Sequence, residues 1–188
     1  FFYISYYDTN IGTHNVVYTD IENTDNYDHI YQSDLCGWVG QLGYNKDSIY
    51  GANVFTAEGN ETLKAASFYA TGKDSQYELY VVRQFEDETS LEKMIPVASG
   101  KLGNAGYYTV DFNQGIEVDA GERYAIVLYI ITPGSVHPMA IEYAADEATE
   151  NVDLDDGESY ISANGSKWVS VDTVEKSNLC IKAFSDNR

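Results

Sequence analysis

The chain has 188 residues, 44% of them hydrophobic, which suits a folded domain with a packed core and argues against general disorder. Against 11 basic residues stand 30 acidic ones, a formal net charge of −19. That field repels phosphate backbones and anionic lipid, so neither nucleic-acid binding nor electrostatic membrane docking is expected, whereas hard cations such as Ca²⁺ are attracted.

Residues 1–35 read differently from the rest. "FFYISYYD" and "NVVYTDI" (15–21) are strand-like, and "ENTDNYDHIYQSD" (22–34) has the polar, acidic composition of a linker. From Trp38 onward, short strands and turn signals alternate about every ten residues. "GANVFTA" (51–57) leads through "EGNE" into "TLKAASFYAT" (62–71), and "GKDS" into "QYELYVVR" (76–83). In the last of these, Tyr77, Leu79 and Val81 share one face by period-two alternation. "SLEKMI" (90–95) is read as a single helical turn. "GYYTVDF" (106–112) and "ERYAIVLYIIT" (122–132) follow, divided by "NQG" and "DAG". Then come "PMAIEYA" (138–144), an acidic loop (145–157), "ESYISA" (158–163), "WVSV" (168–171) and "LCIKAFS" (179–185). Asn164-Gly165 is a hairpin signal between two of these strands. No run of about 18 apolar residues occurs, so no helical membrane span is expected. The pattern predicts an all-β fold, an antiparallel β-sandwich or jelly roll.

"SDLCGWVGQLGY" (33–44) poses a question of chemistry, because a cysteine beside glycine and tryptophan looks like a thiol-protease loop. A nucleophilic cysteine needs a nearby base and a lowered pKa. His14, His29 and His137 all lie in contexts unlike a general-base loop, and no helix pattern follows Cys36. Cys36 is therefore read as a bystander packed beside Trp38. Pairing with Cys180 and two separate thiols both stay open. No G-x-S-x-G, C-x-x-C or H-E-x-x-H occurs. For a metal, "DLDDGE" (153–158) lacks the ligand spacing and flanking helices of an EF-hand and reads first as a solvated acidic loop, while Glu142 shares a strand face with Ala140 and Ala144. A carboxylate buried among small residues needs a cation or donors. Trp38, Tyr44, Tyr50, Tyr107, Tyr108 and Trp168 stand at loop–strand junctions, where aromatic rings serve either as sugar-stacking platforms or as core packing.

"GWVGQLGY", "YGANVFTAEGNETLKAASFYAT", "YELYVV", "AGYYTVDF", "AGERYAIVL", "PMAIEY", "GESYIS" and "CIKAF", in this order, carry a family likeness. The set resembles the lectin-like domain that follows the catalytic domain in some bacterial papain-type cysteine proteases of Gram-positive cell surfaces. The resemblance implies a sandwich similar to carbohydrate-binding modules over residues 37–188. It makes 22–36 a linker and 1–21 the last strand of a papain-type catalytic domain, with the catalytic Cys, His and Asn upstream and absent here. It also implies Ca²⁺, for which Asn53, Glu142 and Glu158 are the matched candidates; the candidate glycan contacts are the junction rings Trp38, Tyr44, Tyr50, Tyr107 and Trp168. The expected function is a non-catalytic accessory domain, extracellular or in the cell wall. Its partners would be the protease catalytic domain and a cell-surface glycan. The alternative is a spacer or protein-docking module with no sugar site.

Overall fold

The computed structural model describes residues 3, 5, 7–9, 16–19, 21, 23–155, 157–171 and 175–188. Within them the strands are β1 (His29–Tyr31), β2 (Gly40–Leu42), β3 (Ser48–Thr56), β4 (Glu61–Ala70), β5 (Ser75–Val82), β6 (Ile95–Leu102) and β7 (Gly106–Val118), followed by β8 (Arg123–Ile131), β9 (Met139–Glu142), β10 (Ser159–Ser162), β11 (Val169–Ser170), β12 (Asn178–Leu179) and β13 (Ile181–Asn187). A four-stranded sheet runs β1-β13-β4-β7 and a six-stranded sheet β11-β10-β3-β8-β5-β6. A small third sheet, β12-β9-β2, joins them at one end. The strand pairings are antiparallel, so the fold is the all-β sandwich that the alternation predicts.

Period-two patterning sets the layers. From the six-stranded sheet Ile49, Leu79, Val81, Tyr124, Ile126, Leu128 and Ile130 point inward, meeting Leu63, Ala66, Phe68, Ile181 and Ala183 of the other sheet. Strand β8 reads as a continuous apolar run because much of its outer face is covered too. Ala125 and Val127 pack outward with Val54, Val82, Phe85 and Leu91 in a second cluster. Leu91 belongs to a 3-10 helix, Glu88–Glu92, laid over that face. Asp87 caps the helix by accepting a hydrogen bond from Thr89 N, and Ser90 closes the capping box. The single turn read in "SLEKMI" falls here, two residues earlier.

Other boundaries differ from the sequence reading for physical reasons. Strand β1 lies inside the segment read as linker: His29, Ile30 and Tyr31 pair with Ser185, Phe184 and Ala183. Strand β7 continues through "NQG", where residues 112–115 bulge between the pairs Ala65–Asp111 and Leu63–Ile116. At Gly115 a Cβ would lie 2.5 Å from Thr62 Cγ2, so a larger residue there would force the Thr62 side chain to shift. "LCIKAFS" divides at Cys180 into β12 and β13, which serve different sheets. Residues 16–19 form no strand, and Val16, Val17 and Tyr18 are exposed, since among the described residues no strand pairs with them. Half of "FFYISYYD", namely Phe1, Phe2, Ile4 and Tyr6, lies outside the described residues.

Candidate functional site

Where the small sheet meets the sandwich, two carboxylates are buried together. Glu142 ends β9, opposite Asn178 of β12. It is fully buried, accepting from Asn178 Nδ2 at 3.1 Å and from the backbone N–H of Cys36. Asp34 follows β1 and is 1% exposed. Lys182 Nζ reaches its Oδ1 at 2.9 Å, while its Oδ2 is buried with no hydrogen-bond partner. Burial pushes the Asp34 carboxyl above its ordinary value, and Lys182 only partly offsets this. Asn178 Nδ2 also faces the carbonyls of Ser33 and Asp153, each at 2.9 Å. Gly157 passes so close that a Cβ there would lie 2.7 Å from Asn178 Oδ1.

Two carboxylates are thus balanced by one lysine, with the Asn178 amide nitrogen and the carbonyls of Ser33 and Asp153 beside them. Among the described residues no three His, Cys, Asp or Glu side chains come together as a metal-binding group. A cation at this place would draw on Asp34, Glu142 and the carbonyls of Ser33 and Asp153, and on Asn178 Oδ1 once that amide is turned to present its oxygen in place of Nδ2. That oxygen-only mixture suits Ca²⁺, and the orphaned, buried Asp34 Oδ2 fits such an ion.

The three residues matched for calcium from the sequence are placed differently from one another. Only Glu142 joins this cluster. Asn53, on the inner face of β3, donates to the Leu179 and Ile181 carbonyls at 2.9 Å each and accepts from Ser159 Oγ at 2.7 Å. Its amide is fully used in tying the sheets together. Glu158 faces outward, paired with Arg123 and accepting from Tyr160 OH at 2.8 Å. Sequence reasoning missed Asp34 and Asn178.

The aromatic candidates divide between the two outer faces. Tyr50 and Trp168 share the outer face of the six-stranded sheet, ring centroids 6.2 Å apart and edge-on. Tyr50 also stacks on Tyr129 at 4.2 Å with 21° between ring planes. Trp38 and Tyr107 lie on the opposite side of the molecule, each against Tyr69, at 5.7 and 5.0 Å. Tyr44 stands in the turn between β2 and β3. Tyr129 was missed by sequence reasoning.

Cys36 and Cys180 are both free thiols, one exposed and one buried. Partial desolvation and then the Glu142 carboxylate push the Cys36 thiol up, the reverse of what a nucleophile needs. Burial and then Asp34 push Cys180 up as well.

The antiparallel sandwich thus displays aromatic rings on both of its outer sheet faces. The family model described as "Lectin like domain" matches residues 30–185, and the chain belongs to that family. Its match begins within β1, in keeping with that strand's place in the sheet. Among solved structures, the clostridial cysteine protease Cwp84 after propeptide cleavage is similar at TM-score 0.70 and 25% identity. That match covers 85% of this chain and 40% of the other. The cysteine protease and lectin-like domains of Cwp84, described as a surface layer associated protein of Clostridium difficile, match at TM-score 0.66 and 22% identity. They cover 85% of this chain and 36% of that one, so this chain spans less than half the length of either. No curated protein sequence matches significantly.

Proposed function

We propose that this lectin-like domain is a non-catalytic accessory domain of a cell-surface cysteine protease. In this reading it holds the protease against a surface glycan or cell-wall polymer. One observation carries the proposal: the fold aligns over 85% of its length with a chain that joins a cysteine protease to a lectin-like domain. Residues 1–21 would then belong to the end of the catalytic domain, and 22–28 would link the two. Retention on protein-stripped bacterial cell walls, measured by co-sedimentation, tests the reading. Saturable retention supports it, and failure to sediment counts against it.

Calcium enters as a structural ion, held by Asp34, Glu142 and Asn178 with the Ser33 and Asp153 carbonyls. Its charge would offset the uncompensated carboxylate and fix the loop 143–158 against β1 and β12.

A second reading, a docking module with no sugar site, has its own support. Trp38 and Tyr107 are 37% and 44% exposed and, with Tyr69, form an aromatic ladder suited to contact with a catalytic domain. Replacing Trp38 by Ala would weaken association with a separately prepared catalytic domain under this reading, and would leave it unchanged otherwise.

A further inference from the structure

One row of side chains crosses the outer face of the six-stranded sheet. By register, Ser162 of β10 lies opposite Tyr50 of β3, Tyr50 opposite Tyr129 of β8, Tyr129 opposite Glu78 of β5, and Glu78 opposite Ser99 of β6. The neighbouring row brings Ile131, Gln76 and Lys101 together. Between these rows is a groove of about 390 Å³ lined by Gln76, Glu78, Ser99, Lys101, Tyr129 and Ile131. That volume falls within the range of small-molecule sites.

The groove is built from pre-positioned parts. Tyr129 is steadied by its stack on Tyr50, and Tyr50 by Trp168. Gly165, at φ +75°, lets the β10–β11 turn close over Tyr50, since a Cβ there would stand 3.1 Å from the ring. The Tyr80 hydroxyl donates to Glu78 Oε2, which orients that carboxylate and leaves Oε1 for another donor. Lys101 is already matched by Asp74 at 3.4 Å. One half-buried aromatic ring beside a carboxylate, an amide and a hydroxyl is the pairing a sugar ring meets best. The C–H face lies on the aromatic, and adjacent hydroxyls donate to the carboxylate.

Charge narrows the ligand class. The groove's lining carries Glu78 and Lys101, Asp74 stands against Lys101, and the whole chain carries −19, so the surroundings are net acidic. An acidic polysaccharide would meet repulsion from them.

We propose that this groove, with Tyr129 as platform and Glu78 as hydroxyl acceptor, binds an uncharged hexose or N-acetylhexosamine segment. The proposal rests on the surface-binding reading and gives it a location and a sugar class.

Calorimetric titration of the intact chain tests it, with chitin-type and cello-oligosaccharides as uncharged probes and an oligogalacturonate as the acidic one. Co-sedimentation with protein-stripped walls is run beside it. At least one uncharged probe should bind and the acidic one should not. Tyr129→Ala and Glu78→Gln should each weaken binding roughly tenfold, Tyr129→Phe should keep it, and Trp38→Ala on the opposite face should not alter it. Melting curves confirm folding; if Tyr129→Ala fails to fold, the exposed Glu78→Gln decides the matter. Binding that ignores both groove variants, or falls with Trp38→Ala, overturns this site. Equal binding of the oligogalacturonate overturns the charge selection. Walls retained without binding of either uncharged probe overturn the sugar class while the surface-binding reading stands. No retention and no binding overturn both.

Discussion

Lys182 Nζ lies 2.9 Å from Asp34 Oδ1, while Asp34 Oδ2 is buried without a partner. The second buried carboxylate, Glu142, receives hydrogen bonds from an amide and a backbone N–H, neither of which carries charge. Burying a charge without a counter-charge is costly. A bound Ca²⁺ would remove that cost. Thermal unfolding with added Ca²⁺ should therefore show a rise over unfolding with chelator, worth about 2.7 kcal/mol at 100 times the dissociation constant. Asp34→Asn should abolish the Ca²⁺-dependent rise. Glu158→Gln should leave it intact, because Glu158 is held by Arg123 on the outer face. Equal melting temperatures in Ca²⁺ and chelator, with no metal by elemental analysis, would remove calcium from the account.

Asn53 joins the layers. Its amide satisfies the Leu179 and Ile181 carbonyls, and its oxygen takes the Ser159 hydroxyl. Asn53→Ala leaves these buried groups unpaired and should cost about 2–4 kcal/mol in chemical denaturation. The loss should be the same with and without Ca²⁺, which separates a clasp from a ligand.

Glu61 predicts an acid limb. It is fully buried, and although burial opposes its charge, hydrogen bonds from Ser185, Tyr31 and Gly59 outweigh this and hold its carboxyl below the ordinary value of 4.5. A depressed folded-state pKa gives stability that is present above the unfolded value and lost as pH falls through the folded one. Glu61→Gln should cost about 1–3 kcal/mol at neutral pH and flatten the loss of stability below pH 4.5. An unchanged pH profile in the variant would contradict this.

His29 acts in the opposite sense. Its hydrogen bond to Asn187 raises its pKa above 6.5 against some desolvation, and Glu61 and Glu58 add to the rise. The contribution is full below pH 6.5 and fades as pH rises through the folded-state value. The ring is near solvent, so the effect is small. His29→Gln should remove a shallow decline in melting temperature above pH 6.5.

Much of the fold was legible because β3, β4, β5 and β8 alternate or run apolar, and Tyr77, Leu79 and Val81 do face the core side. Strand β1 was not legible, since three residues in an acidic stretch gain strand geometry only from β13. Strand β6 hid for a similar reason: at the sheet edge only Val97 is buried, and Pro96 and Gly100 break the pattern. Glu142 was readable from the small residues sharing its face. Asp34 was not, because it looks like its acidic neighbours and its lysine is 148 positions away. Tyr129 lies in a run where every residue is apolar, so alternation alone cannot tell its outward ring from the inward Tyr124. Pairing with Tyr50 and Glu78 decides it, and that register is tertiary information.

The most direct test of the central claim follows backbone amide chemical shifts of the chain while soluble fragments of cell-wall polysaccharide are titrated in. The account predicts saturable shifts at Gln76, Glu78, Ser99 and Tyr129, with those around Trp38 and Tyr107 unmoved. Shifts confined to the Trp38–Tyr107 face, or none at saturating polysaccharide, would contradict it.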